Sequence, residues 1–282
     1  MMNRRRFAGM MAGAAAGAVL PKAAFALGRN SRLAPTLDAE RLNANLKALS
    51  VFGANPQGGV SRVAYSEFDR AGRAYVTDLM RSAGLEVSVD FAGNIFGRRA
   101  GTDPSLKPIV FGSHIDSVPD GGNYDGTVGS LSAIEVAQTF AEQRTRTRHP
   151  LEIVIWANEE GGLYGSRAVS GQLTAPELAN KAWSGKSIEE GMSFLGGTPA
   201  RIAEIQRKRG DVATYLELHI EQGGNLEREG LNIGVVEGIV GIKQWEVTIT
   251  GFQNHAGTTP MDQRHDALLS AARFVDMVNR VV

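Results

Sequence analysis

The 282 residues include no cysteine. That absence excludes a thiolate nucleophile, a cysteine-ligated zinc or iron–sulfur centre and any disulfide framework. Metal chemistry must then rest on histidine, aspartate and glutamate, and the chain has five histidines. Net charge is also missing: 30 basic residues balance 30 acidic ones, so no nucleic-acid footprint is indicated. No Gly-x-Ser-x-Gly nucleophile elbow occurs, which argues against a serine hydrolase. Ser184-Gly185-Lys186-Ser187 has the look of a phosphate-binding loop. However, Asn180 stands where that loop needs glycine, and no strand leads into it. What is left is a globular composition, 43% hydrophobic and 21% charged, sufficient for one large domain or two smaller ones.

The N-terminus reads as an address. Arg4-Arg5-Arg6-Phe7 fits a twin-arginine pattern, with Asn3 in place of the usual Ser or Thr. Ala8 to Leu20 is a weakly apolar run too short to span a bilayer, and Ala24-Phe25-Ala26 reads as a cleavage site. The expectation is a signal peptide over 1–26 and a periplasmic mature protein starting near Leu27. Residues 1–26 hold four basic residues (Arg4, Arg5, Arg6, Lys22) and no acid, so the remainder carries a net charge of about −4.

Beyond residue 30 no repeat or low-complexity linker appears. Helical spacing marks Leu37 to Ser50, Ser66 to Ala83 and Thr127 to Gln143. Leu85 to Val89 alternates as a strand, with Phe91 to Arg99 as its hairpin partner. Pro108 to Gly112 and Leu151 to Trp156 are short apolar runs of the kind that form buried parallel strands. Pro199 to Lys208 reads as helix and Thr214 to Ile220 as strand. The order predicts an α/β fold, a mostly parallel mixed sheet flanked by helices. Around Gly230 to Gly241 the texture changes. An alternating strand, Gln244 to Thr250, and a helix from about Asp262 to the end then suggest the start of a small α+β domain. The expected boundaries are 27–235 and 236–282.

Three motifs fall where the apolar strands end, which is where open α/β sheets bind ligands. In Gly112-Ser113-His114-Ile115-Asp116-Ser117-Val118, His114 and Asp116 are two apart and share a direction. Imidazole suits zinc, and a nearby carboxylate can fix its tautomer. Asp125 follows in a glycine-rich loop that lets a carboxylate approach closely. In Trp156-Ala157-Asn158-Glu159-Glu160-Gly161-Gly162, adjacent carboxylates diverge and can take different roles. In Leu216-Glu217-Leu218-His219-Ile220-Glu221-Gln222-Gly223, a histidine interrupts an apolar alternation. Singly, each motif is also compatible with a satisfied polar strand end, a solvated loop or a core histidine. Together they supply two His, an Asp able to bridge and two Glu, a fair ligand set for paired zinc or manganese ions.

On residues 112–126, 216–223 and Asn254-His255-Ala256-Gly257-Thr258-Thr259-Pro260-Met261, the sequence resembles the hydantoinase/carbamoylase branch of the aminoacylase/carboxypeptidase-type binuclear metallohydrolases. The likeness runs from about residue 38 to 282. It implies a zinc-peptidase-like catalytic domain with a lid. It also implies two divalent ions, zinc first, with manganese, cobalt or nickel as alternatives. By resemblance, His114 and His219 bind one ion, Asp125 bridges both and Glu160 binds the second. Asp116 would orient His114, Glu159 would act as general base and acid, and His255 would support the oxyanion. Gln222 and Gln244 stand near positions that contact substrate in such enzymes. His149 and His265 match no motif and read as surface residues.

The implied reaction is cleavage of a linear C–N bond in an N-carbamoyl amino acid or ureido compound. The implied partners are that small molecule and, in a complete protein, a second copy; neither nucleic acid nor, after signal cleavage, a membrane is expected. Three departures bear on this. The loop after Glu160 is short, Lys243-Gln244 replaces a basic pair that holds a substrate carboxylate in allantoate-type members, and the rest of the lid with a final His ligand does not appear. The expectation is therefore a fragment, inactive or unstable when made alone. Rival readings are an aminoacylase or dipeptidase using the same metals, and a catalytically dead metal- or amino-acid-binding remnant.

Overall fold

The structure is a computed structural model that describes residues 35–241 and 243–281. The expected signal peptide at 1–26 lies outside the described residues. The chain divides into two compact units, with the division after Gln222. The change of texture near 236 falls inside the second.

The first unit is built on a five-stranded sheet of β1 (Glu86–Val89), β2 (Ile95–Arg99), β3 (Ile109–His114), β4 (Leu151–Trp156) and β5 (Thr214–Leu216). Their order across the sheet is β1-β2-β4-β3-β5. Strands β4, β3 and β5 run parallel, whereas β2 lies antiparallel to both β1 and β4. The sheet is thus mixed, as read from the sequence, with a parallel half that carries the motif-bearing strand ends.

Strand β4 shows why the apolar runs sit centrally. Leu151, Glu152, Ile153, Val154 and Ile155 are all buried, because both faces of this strand are covered. Ile153 and Ile155 join a core with Leu46 and Leu49 of helix α1 (Ala39–Leu49), Val76 and Met80 of α2 (Glu67–Ser82), and Leu131, Ile134 and Ala137 of α3 (Thr127–Glu142). Val154 faces the other way, onto Phe96 and Val110, with Trp156 and Val212 packed alongside. Each such aliphatic side chain contributes roughly 1.5–3 kcal/mol on burial. Glu152, charged within this strand, is paired with Arg207 at 2.6 Å and Arg98 at 3.2 Å.

Side chains define the helix starts. Asp38 caps α1 by accepting from Arg41 N, and Ser66 caps α2 by accepting from Asp69 N. Helix α4 (Tyr164–Val169) and α5 (Ile188–Phe194) pack Tyr164, Ala168, Ile188 and Met192 against Tyr65 in a second core. Residues Pro199–Ile205 form a 3-10 helix rather than the α-helix expected over 199–208.

The second unit holds α6 (Asn225–Glu229), a 3-10 turn at Met261–Gln263, and α7 (Ala267–Val281). The strand expected at 244–250 does not form. Trp245 and Val247 are exposed, and an alternating pattern makes a strand only where a neighbour supplies the hydrogen-bond ladder. Among the described residues of this unit, the one β-type pairing is the bridge of Phe252 with His265. No helix among the described residues is long and apolar enough to cross a membrane.

Candidate metal centre

His114 is the last residue of β3 and is almost fully buried. Its Nδ1 lies 2.9 Å from the Asp116 carbonyl. That acceptor takes a proton on Nδ1 and turns Nε2 into the site. Asp125 precedes α3 in the glycine-rich loop, and its Oδ1 lies 3.7 Å from His114 Nε2. Gly126 follows with φ +62°, and a Cβ on it would overlap the His114 ring. Glycine is required there by both dihedral and space. His219 lies beyond the end of β5, with Nδ1 2.8 Å from the Ile220 carbonyl and Nε2 3.0 Å from Asp125 Oδ1. The two histidines therefore present the same nitrogen to one carboxylate oxygen.

The donor set fits a divalent ion. One ligand atom from each of His114, Asp125 and His219 lies within 4.8 Å of the others. Donors bound tetrahedrally at about 2.1 Å are roughly 3.4 Å apart, and the two nitrogen-to-oxygen separations, 3.0 and 3.7 Å, fall on either side of that. Electrostatics make the same demand. Burial opposes charge on His114, yet the facing Asp125 carboxylate and the nearby Asp116 and Glu159 carboxylates outweigh that and push its pKa up to about 10. The same contact holds Asp125 below the usual carboxylate range. A proton here does the work of a cation among acceptors.

Glu159 and Glu160 lie in the turn after β4. Glu159 Oε2 is 3.5 Å from His114 Nε2, within reach of anything held there. Burial raises its pKa; His114 lowers it, and the Asp116, Asp125 and Glu217 carboxylates raise it further. Burial likewise raises Glu160. Glu160 stands near the centre but outside the His114–Asp125–His219 group. Asp116 is fully buried, and its carboxylate stays 3.7 Å from His114 Nδ1. Gln222 donates to Asp125 Oδ2, so it steadies that carboxylate. Gln244 is exposed in the second unit.

A family model described as peptidase family M20/M25/M40 matches residues 110–277. The chain belongs to this family. M20 enzymes are metal-dependent. Among curated relatives, the chain is 41% identical to an N-carbamoyl-L-amino acid amidohydrolase of Geobacillus stearothermophilus, over 86% of its own length and 60% of that protein's. It is 36% identical to the allantoate amidohydrolase of Escherichia coli (83% and 58%). Among solved structures, a hydantoinase/carbamoylase family amidase from Burkholderia multivorans superposes with a TM-score of 0.72 at 36% identity, covering 88% of this chain and 61% of that one. The chain thus spans about 60% of the length of the curated relatives it matches.

Within this M20 chain, His255 lies in the second unit and is described there alone. Its Nδ1 accepts from Gly257 N at 3.1 Å and Thr258 N at 3.2 Å. Two donors on Nδ1 put the proton on Nε2, which makes His255 an outward hydrogen-bond donor. Arg264 braces the same loop through the carbonyls of Ala256 (2.6 Å) and Thr259 (2.9 Å).

Two groups escaped the sequence reading. Glu217 accepts from Ser113 Oγ at 2.5 Å and Tyr215 Oη at 2.6 Å, and Trp156 Nε1 donates to Tyr215 Oη at 2.9 Å. The two-residue spacing of Tyr215, Glu217 and His219 was the available signal. Arg62 is 1% exposed and donates to the carbonyls of Ile115, Leu49 and Phe52 at 2.6–2.9 Å. It fixes the segment between His114 and Asp116, and nothing in its local sequence marks it as buried.

Proposed function

We propose that this chain carries the metal centre of an amidohydrolase that cleaves a linear C–N bond in an N-carbamoyl amino acid or related ureido compound. The observation that carries the reading is the meeting of His114, Asp125 and His219 beside Glu159, at the parallel strand ends of an M20 chain. The names of the relatives, N-carbamoyl-L-amino-acid and allantoate amidohydrolases, support the substrate class.

His114, His219 and Asp125 would hold one ion, and zinc is proposed because two imidazoles and a carboxylate suit it. A second ion would be shared between Asp125 and Glu160. When bound, such ions polarise a carbonyl and bring the pKa of water towards neutrality. The carbonyls of Asp116 and Ile220 keep both Nε2 atoms free to ligate. Gln222 donates to Asp125 Oδ2 and steadies the carboxylate with Oδ1 facing the histidines. Glu159, its carboxyl raised by burial, takes a proton from the attacking water and returns it to the leaving nitrogen. On the family resemblance alone, His255 is proposed as a donor to the developing oxyanion. Gln222 and Gln244 are proposed to lie near the substrate. Dimerisation of the complete protein is proposed on the family resemblance. Export by the twin-arginine route is proposed on Arg4-Arg5-Arg6-Phe7 and Ala24-Phe25-Ala26. A periplasmic product starting near Leu27 is expected, and full-length protein confined to the cytoplasm would contradict it.

The function is tested by offering the zinc-loaded complete protein N-carbamoyl-L-amino acids, allantoate, N-acetyl amino acids and dipeptides, and measuring release of the amine product or ammonia. Chelator-sensitive cleavage of a ureido compound is expected. Cleavage confined to dipeptides or N-acetyl amino acids would assign an aminoacylase or dipeptidase. Zinc binding without turnover of any of them would assign a binding fold.

A further inference from the structure

The Asp116 carboxylate is 2% exposed, and neither oxygen bonds to His114. The ring is held by the Asp116 carbonyl instead. The carboxylate accepts two consecutive main-chain donors from another strand end: Glu159 N on Oδ1 and Glu160 N on Oδ2, each at 3.2 Å. Adjacent amides aimed at one anion form a small anion-binding nest.

We infer that the Asp116 carboxylate is a positioning group for the Glu159–Glu160 turn, while its main-chain carbonyl orients His114. One residue thus sets both halves of the site through different atoms. The turn needs such a brace. It begins at Asn158, buried with φ +49°, and ends at Leu163 with φ +59°. A non-glycine residue keeps such dihedrals only where its surroundings enforce them. Asparagine cannot replace this carboxylate, because it offers one oxygen acceptor, and its NH2 would face the second amide donor. Loss of the brace would move Glu159 away from its place 3.5 Å from His114 Nε2 and leave His114, Asp125 and His219 together. The effect on turnover rests on the amidohydrolase reading; the placement does not.

The test compares the unmodified chain with Asp116→Asn in two assays. Hydrogen exchange reads the amides of residues 159 and 160, and zinc competition against a chromogenic chelator reads the three-ligand group. Asp116→Asn is expected to speed exchange at both amides by roughly tenfold or more, with zinc affinity kept within about threefold. A zinc loss of the roughly 10–100-fold typical of a ligand-orienting partner, with protection at 159 and 160 retained, would overturn the inference. So would a variant unchanged in both assays, or one losing both together. Should Asp116→Asn not fold, the unmodified chain decides. Its 159 and 160 amides are expected to exchange roughly 100-fold slower than free peptide, and unprotected exchange would overturn the inference. A wrong amidohydrolase reading would show as an absence of turnover and leave both assays intact.

Discussion

Replacing Gly126 with alanine puts a methyl group where the His114 ring stands. The residue has φ +62° and ψ −38°, and it directly precedes α3. Two costs follow. A side chain at that dihedral costs about 1–3 kcal/mol. Forcing a methyl into a filled site costs about 1–3 kcal/mol more through displaced neighbours. The expected loss is therefore roughly 2–6 kcal/mol, a large share of a domain stability of about 5–15 kcal/mol. Because the displaced ring carries Nε2, which faces Asp125, zinc affinity should also fall by at least about tenfold. Gly122, in the same loop, is the control: nothing lies within 4 Å of a Cβ placed there. Urea unfolding and zinc competition on Gly126→Ala and Gly122→Ala give the answer. If Gly126→Ala matched Gly122→Ala in both, the close approach of the loop to His114 would be refuted.

Two further outcomes follow from the same geometry. In the active protein, Glu159→Gln should lower kcat by about 10²–10⁴-fold while zinc affinity stays within about threefold; equal loss of both would make Glu159 a ligand rather than a base. Asp69 is completely buried, with one oxygen unpartnered, and burial raises its pKa from 3.8 to about 6 despite opposition from Arg73. A carboxyl raised on folding contributes stability below 3.8 that is lost as pH rises through about 6, roughly 3 kcal/mol in all. Asp69→Asn should therefore gain on the unmodified chain between pH 4 and 7, read from urea midpoints at each pH. A pH-independent difference would contradict this.

Strands β3 and β4 were legible because apolar runs covered on both faces leave an uninterrupted signature, and the metal-type residues stood at their ends. Helices α1 and α2 were legible from spacing, and the structure adds Asp38 and Ser66 as their caps. What the sequence hid was relational. Strand β5 stops at Leu216, short of the expected Ile220: Glu217 is drawn to Ser113 and Tyr215, and His219 bonds its neighbour's carbonyl. Gln244 to Thr250 alternates like a strand but has no strand partner among the described residues. Arg62 reads as surface until three carbonyls from two segments, the end of α1 and the residue after β3, surround it. Asp116 was visible as a residue, but which of its atoms meets His114 depends on a turn 43 residues away in sequence.

The central claim, that His114, Asp125 and His219 hold one divalent ion, is tested most directly by zinc titration calorimetry in buffers of differing ionisation enthalpy near pH 7.5. His114, held protonated to about pH 10 without metal, must lose its proton to ligate. Tight binding of zinc with release of about one proton per ion is predicted, abolished by His219→Ala. Zinc binding without proton release, or binding indifferent to His219→Ala, would contradict the account.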